Sequence, residues 1–337
     1  SMGEKLPYAC GGIVVAGVLY LILAVIIKMV GVKRAMHFLP PVVTGPIIIC
    51  IGLSLAPSAV SNVQTNWLLA IVAFAIIVIF NIWGKGMFKI IPILLGIAGS
   101  YAVALILHAC GITNPDGSAI FDFTSVASAS WVDIPPFQLC KFNLTAILAM
   151  APIAVASMME HIGDISAISA TVGENFVENP GLHRTLIGDG LATSISALFG
   201  GPANTTYGEN TGVLELSRVH DPKVIRLAAC YAIVLSFIPK FAQIISTMPI
   251  AIVGGVSFIL YGMIAAIGVR NVVENKVDFT DSRNLIIAAT ILVCGLGFSD
   301  GLTFNVAGTS ITLTGLAIAA IMGVALNAIL PEKKAEA

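Results

Sequence analysis

Charge is what this sequence has least of. Asp, Glu, Lys and Arg make up 10% of its 337 residues, against about 25% in soluble globular domains. Long uncharged runs leave no polar face to surround a water-soluble core. Mean hydropathy is +0.97 and 57% of residues are hydrophobic, which points to a helical protein crossing a membrane many times. A transmembrane β-barrel does not fit, because its strands alternate apolar and polar residues, whereas here whole runs are apolar. An excess of one sign of charge is also missing. The net charge of −1 offers no basic surface for nucleic acid. The six cysteines (Cys10, Cys50, Cys110, Cys140, Cys230, Cys294) show no CxxC or metal-ligand spacing. Four of them fall inside apolar runs, where cysteine acts as a small hydrophobe. Cys110 and Cys140 flank one loop, and a disulfide between them is left open.

What is present is a series of spans. A helical crossing needs about 20 apolar residues. Candidate spans run over 8–30, 40–58, 67–83, 89–110, 144–163, 183–200, 222–247, 250–269, 283–298 and 309–330, with a short broken pass near 203–214. The basic residues order them. Lys28, Lys33, Arg34, Lys85, Lys89, Arg184, Arg218, Lys223, Arg226, Arg270, Lys276, Arg283, Lys333 and Lys334 fall on one side. Lys5 and Lys141 fall on the other, with Asp116, Asp122 and Asp133, and Lys240 is left within a span. Positive loops stay in the cytoplasm, so the C-terminus is expected there and 111–143 is expected to be an external loop. The short pass is needed for this alternation, because without it Arg184 and the Arg218 cluster fall on opposite sides.

The spans repeat. Pro40-Pro-Val-Val-Thr-Gly45 matches Pro249-Ile-Ala-Ile-Val-Gly254, and Asn66-Trp-Leu-Leu aligns with Arg283-Asn-Leu-Ile. The block 8–110 is echoed by 222–330 with opposite membrane direction. Inverted repeats belong to transporters, whose sites lie near the midplane where helices break. The second block is preceded by the passes of 144–214, the first by almost nothing. The expectation is a fold lacking its first three segments.

Two glutamates, Glu160 and Glu209, sit where the chain otherwise reads as membrane interior. A buried carboxylate costs several kcal/mol in that setting and usually has a task. Glu160 and Asp164 are four residues apart and share a helix face. His161 points elsewhere and reads as structural. Asp189 lies in Gly188-Asp189-Gly190 within the next span. Glu209 follows Tyr207-Gly208 in a polar break that also carries Asn204, Thr205, Thr206 and Asn210. Glycine there lets backbone approach a ligand, and broken backbone at membrane depth belongs beside a cavity. Burial and a second nearby acid both raise a carboxyl pKa, so such a pair suits the loading and release of a proton. Carboxyls that accept N–H donors fit a small, flat, neutral ligand rich in N–H and C=O.

These residues resemble the nucleobase–ascorbate transporter family, also called nucleobase:cation symporter-2, and within it the bacterial uracil and uracil–xanthine permeases. The family signature is an acid or amide, Asn-x-Gly and, four residues on, Thr or Ser with a basic residue. Here it reads Glu209-Asn210-Thr211-Gly212-Val-Leu-Glu-Leu-Ser217-Arg218. Glu160-His161-Ile-Gly163-Asp164, Asn179-Pro180-Gly181-Leu182-His183-Arg184 and Gly188-Asp189-Gly190 are also similar to family segments.

The resemblance implies an all-helical fold of two inverted repeats of seven. The core is 1–30 and 144–247, and the gate is 38–110 and 250–330. The third segment, a wall of the substrate site, is expected to be missing. The implied activity is proton-coupled uptake of a nucleobase, uracil before xanthine or another purine, across the cytoplasmic membrane by alternating access. No cofactor beyond the proton and no enzymatic reaction is implied. The partners implied are the bilayer and a second copy in a homodimer. Glu160, Glu209, Gly208, Tyr207 and Tyr261 would bind the base, with Asp164, Asp189, Asn210 and Glu209 supporting the site or coupling the proton. An anion carrier of the same architecture and an intramembrane aspartyl protease using Asp164 and Asp189 are the distant alternatives.

Overall fold

The computed structural model describes residues 2–32, 34, 40–207, 210, 214, 219–306 and 309–331. Helices dominate it, as a hydrocarbon solvent requires, because each helix satisfies its own backbone groups. In chain order they are α1 (Met2–Val30), α2 (Pro41–Gln64), α3 (Trp67–Trp83), α4 (Pro92–Ala109), α5 (Leu144–Val172), α6 (Leu182–Leu198), α7 (Pro222–Ser236), α8 (Pro239–Ser246), α9 (Ile250–Glu274) and α10 (Ser282–Gly297). A hairpin of β1 (Leu302–Val306) and β2 (Thr309–Leu313) then leads into α11 (Gly315–Ile329). Helix starts are marked by side-chain caps. Asn66, Asn143, Asp221, Asp281 and Thr314 each accept a hydrogen bond from a backbone N–H in the first turn that follows.

Five helices are long and apolar enough to cross a membrane: α1 from Lys5, α2, α4, α5 to Ile165, and α9. The bent pair of α7 and α8 makes a sixth if taken as one span, and α3, α10 and α11 are shorter apolar helices. The chain is thus a mostly helical, multi-span membrane protein.

Two expected spans are corrected. The stretch 222–247 is not one helix but α7 and α8, bent by 93°. Proline lacks the N–H that would continue the ladder and pushes its predecessor out of the helical region. Ile238, before Pro239, accordingly sits at φ −114° and ψ 85°. The stretch 309–330 is helical only from Gly315. Its Thr-Ser-Ile-Thr-Leu start pairs antiparallel with β1, in the register Leu302 with Leu313 and Val306 with Thr309. Threonine and isoleucine favour strands, and the Thr314 hydroxyl, by accepting from Ala317 N, starts the helix only after them. Cys110 and Cys140, which flank the 111–143 loop, are both free and form no disulfide.

The chain forms two compact units. The first holds residues 1–54, 137–211 and 263–337. Its core joins Tyr20, Ala24 and Ile27 of α1, Val43 and Ile47 of α2, Met158 and Ile162 of α5, Leu182 and Leu186 of α6, Ile287 and Ile291 of α10, and Ala319 and Ala320 of α11. Helices α1 and α6 meet backbone to backbone. A Cβ added at Gly190 would lie 2.7 Å from Gly17 O and 2.6 Å from Tyr20 Cβ. Small residues drive such crossings in membranes, where close packing replaces the hydrophobic effect.

The second unit holds residues 55–136 and 212–262. Leu69, Ala73 and Ile77 of α3 pack with Ala104 of α4 and Ile252 and Val256 of α9. The loop 111–143 folds onto α4 through aromatic rings. Phe121 stacks on Phe123 at 5.1 Å and meets Tyr101 edge-on at 4.9 Å. Lys240, left over in the charge pattern, has its ammonium 4.6 Å from the centre of the Trp131 ring, a cation–π contact.

Candidate functional site

The polar residues of the first unit gather where α1, α5 and α6 meet the extended segment 203–207. On α5 they are Glu160, His161 and Asp164. Glu160 is partly buried, whereas His161 and Asp164 are 3% exposed. On α6, Thr185, Asp189 and Thr193 recur every fourth residue and so share one face. Thr193 Oγ1 donates to Asn204 O at 3.1 Å and accepts from Asn204 N at 3.2 Å, tying the extended segment to α6.

His161 is the hub of this cluster. Its Nδ1 lies 2.8 Å from Thr206 Oγ1 and its Nε2 lies 3.0 Å from Thr185 Oγ1. Asp189 Oδ2 lies 3.1 Å from the same Nδ1, and both side chains are nearly buried. The Tyr20 ring meets the imidazole edge-on, with centroids 6.4 Å apart. The Tyr20 hydroxyl lies within the field of Asp189 and Glu160 and beside Ser157.

The structure therefore brings Asp189 and Asp164 into the same packed unit as Glu160. Tyr207 is 62% exposed. Asn210 is exposed, and its N–H donates to Tyr207 O at 3.1 Å. Gly208 and Glu209 lie outside the described residues. Tyr261 is partly buried on α9, within the second unit. Among the described residues there is no cluster of three or more His, Cys, Asp or Glu side chains able to hold a metal ion.

The sequence reading sets His161 aside and does not name Tyr20, Thr185 or Thr193. The threonines had a signal: Thr185, Asp189 and Thr193 form a four-residue polar repeat in an apolar helix. His161 had none, because its partners lie 24 and 45 residues away.

The cluster offers donors, acceptors and at least one exchangeable proton inside an apolar bundle, which suits a small polar solute better than a lipid or a peptide. A family model described as a permease family matches residues 1–304. The chain is 39% identical over 335 residues to the uracil permease of Bacillus caldolyticus, an alignment covering 95% of this chain and 74% of that protein. Identity to the uracil permease of Bacillus subtilis is 40% over 344 residues, covering 96% and 76% of the two chains. Identity to the uracil permease of Escherichia coli K12 is 35% over 332 residues, covering 95% and 74%.

Proposed function

The chain belongs to this permease family, and we propose that it carries uracil across the cytoplasmic membrane, coupled to protons, by alternating access. One observation carries this reading. Similarity to uracil permeases runs over nearly the whole chain and spans the α5–α6 region that carries Glu160, Asp164 and Asp189. A carrier of this kind is a transporter and not an enzyme. That removes the protease alternative, although Asp164 and Asp189 stand on neighbouring helices.

In the proposed mechanism Glu160 accepts N–H donors from the base and Glu209 does so from the polar break. Gly208 offers its backbone N–H, and Tyr207 and Tyr261 shape the pocket. Asp164, Asp189 and Asn210 support the acids. A charge-assisted hydrogen bond to a carboxylate is worth about 1.5–3 kcal/mol, so three at the upper end reach the roughly 8 kcal/mol of micromolar binding. Protonation of a site carboxyl removes its charge, which lowers the cost of moving the loaded site through the low-dielectric interior.

The inverted repeat is part of the proposal and has support. Pro40 O accepts from the N–H groups of Val43 and Thr44 at the start of α2, and Pro249 O accepts from those of Ile252 and Val253 at the start of α9. Five residues on, Val272 covers Gly45 in the first unit, while Asn62 and Val63 cover Gly254 in the second. The same proline–glycine spacing makes the same contact in each half. The proposed division of labour takes 1–30 and 144–247 as the core and 38–110 and 250–330 as the gate. A homodimer and a cytoplasmic C-terminus complete it.

Uptake of labelled uracil into proteoliposomes tests the reading. The expected result is saturable uptake driven by an inward proton gradient and abolished by a protonophore. Uptake of xanthine in preference to uracil, or uptake indifferent to the gradient, overturns it.

A further inference from the structure

We propose that the second unit holds one acyl chain of a zwitterionic phospholipid in a groove between α3 and α9. The inference is independent of the transported solute and rests on the spans and the groove alone.

The groove follows from a pattern of side-chain sizes. Trp67, Ala70, Ile71 and Phe74 are spaced i, i+3, i+4 and i+7, so they share one face of α3. Gly255 and Phe258 stand three residues apart on one face of α9. The residues are smallest where the two helices meet. A Cβ at Gly255 would press on Ala70 O and lie 3.0 Å from Ala70 Cα. The two backbones therefore touch and make a floor. Trp67, Phe74 and Phe258 stand around it as walls, and Val63 of α2 adds a side. The space between them is about 210 Å³.

The two ends of the groove differ. At one end the Phe74 and Phe258 rings meet edge-on, with centroids 6.1 Å apart at 74°. At the other stands Trp67, the first residue of α3. Asn66 caps the helix there, and its side-chain amide donates to Asn114 Oδ1 at 3.0 Å. Helix α2 ends just before it at Gln64, and α9 begins at Ile250; both are long and apolar enough to cross a membrane. The Trp67 end thus lies where spans end, the depth at which tryptophan is enriched. The groove runs inward from there, and the seven residues from Trp67 to Phe74 make about 10 Å of helix.

These features select the occupant. Every residue lining the groove is apolar, so a polar group carried into it would lose its hydrogen bonds to water without replacement. Trp67, Ile71 and Phe258 are all exposed, and at this depth they face hydrocarbon. The volume is below the roughly 300–1,000 Å³ of pockets that enclose a drug-sized ligand, and a single acyl chain suits it. Seven residues line it, against about 20–30 a side in a stable protein interface, so the groove alone does not make a dimer surface. Around the mouth, residues 59–67, 111–120 and 248–257 contain no Lys or Arg and one acid, Asp116. A lipid phosphate finds no ion pair there. The groove therefore recognises the acyl chain, and a net negative headgroup gains nothing.

The test uses the full-length protein, with bound phospholipid counted by native mass spectrometry after detergent extraction. Phe258→Ala removes a wall. Ile71→Trp fills the groove from an exposed position and keeps the test open should the truncation fail to fold. The wild type is expected to retain one phospholipid per chain more than either variant. Equal counts in all three proteins overturn the proposal. Stability supplies the second readout, because a ligand of the folded state raises its thermal midpoint. Phosphatidylcholine added to delipidated protein is expected to raise the midpoint, and Phe258→Ala is expected to need about tenfold more lipid for the same shift, the worth of one buried aromatic side chain. Phosphatidylglycerol with the same acyl chains is expected to do no better than phosphatidylcholine. A requirement for the anionic lipid overturns the proposal, because the headgroup is then what is recognised. Loss of a dimer in Phe258→Ala with bound lipid unchanged gives the groove to a second copy and overturns it too. Uracil uptake enters none of these readouts, so a failure of the carrier reading leaves them intact.

Discussion

Glu160 and His161 are adjacent in sequence but occupy different surroundings. The imidazole is enclosed by Thr185, Asp189 and Thr206, whereas the carboxyl retains partial exposure. That contrast suits a ligand-facing acid beside a scaffold histidine. Glu160→Gln keeps the shape and loses the charge, and uracil affinity is expected to fall by about 10- to 100-fold, measured by equilibrium binding. An unchanged affinity removes Glu160 from the site. The loop acids behave otherwise. Asp116 Oδ1 accepts from Ser118 Oγ at 2.6 Å and from Ser118 N at 2.9 Å, and Asp122 does the same with Thr124. The side-chain bonds first, then the backbone bonds, hold both carboxyls below the ordinary value of 3.8. A depressed folded pKa stabilises the fold above the unfolded value, and the stabilisation is lost as pH falls through the folded value. The two turns are therefore expected to be insensitive to pH from neutrality down to about 5. These two turns are expected to add no pH dependence to uptake in that range. Carboxyl 13C titration with Ser118→Ala checks this, with Asp116 expected to move up towards its ordinary value.

At the scale of elements, two contacts hold helices that the apolar pattern alone would leave interchangeable. The crossing of α1 and α6 depends on Gly17 and Gly190, where a Cβ would meet backbone. Backbone cannot yield as a side chain can, so Gly190→Val is expected to cost at least about 3 kcal/mol and to abolish monodisperse protein on size-exclusion chromatography. Gly188, two residues earlier, has nothing within 4 Å of its would-be Cβ. Gly188→Ala is expected to be neutral or to raise the thermal midpoint, since alanine gains up to about 1 kcal/mol over glycine in a helix. The second contact is Arg283 at the start of α10. Its Nε donates to Leu330 O at 3.1 Å, and Nη2 donates to Asn327 O and Oδ1 at 2.8 and 2.9 Å. It thus satisfies carbonyls at the end of α11. Arg283→Ala is expected to destabilise by about 1.5–3 kcal/mol, read as a lower midpoint in detergent. Lysine is expected to restore little of this, because it lacks the planar fork.

For the whole molecule, the proposed topology fixes which way it lies in the bilayer. In the proposed topology the basic loops and the C-terminus are cytoplasmic. A reporter fused after Ala337 is expected to be active only on the cytoplasmic side. Cys110, free and exposed, is expected to react from the outside with a membrane-impermeant maleimide. Reaction of Cys110 from inside reverses the proposed topology.

Composition by itself determined the class of protein. An apolar chain can satisfy its backbone in lipid as helices or as a closed barrel, its unbroken apolar runs leave the helices, and the proline, asparagine and aspartate caps mark where several of them begin. Glu160, Asp164 and Asp189 stand out without any structure, because an acid in an apolar run is costly wherever the run is packed. The bend at Pro239 was legible but outweighed by the apolar composition on both sides of it. The hairpin before α11 was hidden in the same way, since a threonine-rich apolar stretch serves a strand or a helix end equally well. Only the tertiary structure decided the role of His161. A hydrogen-bond hub is defined by its partners, and Thr185, Asp189 and Thr206 come within reach of one imidazole only when α5, α6 and the 203–207 segment pack together.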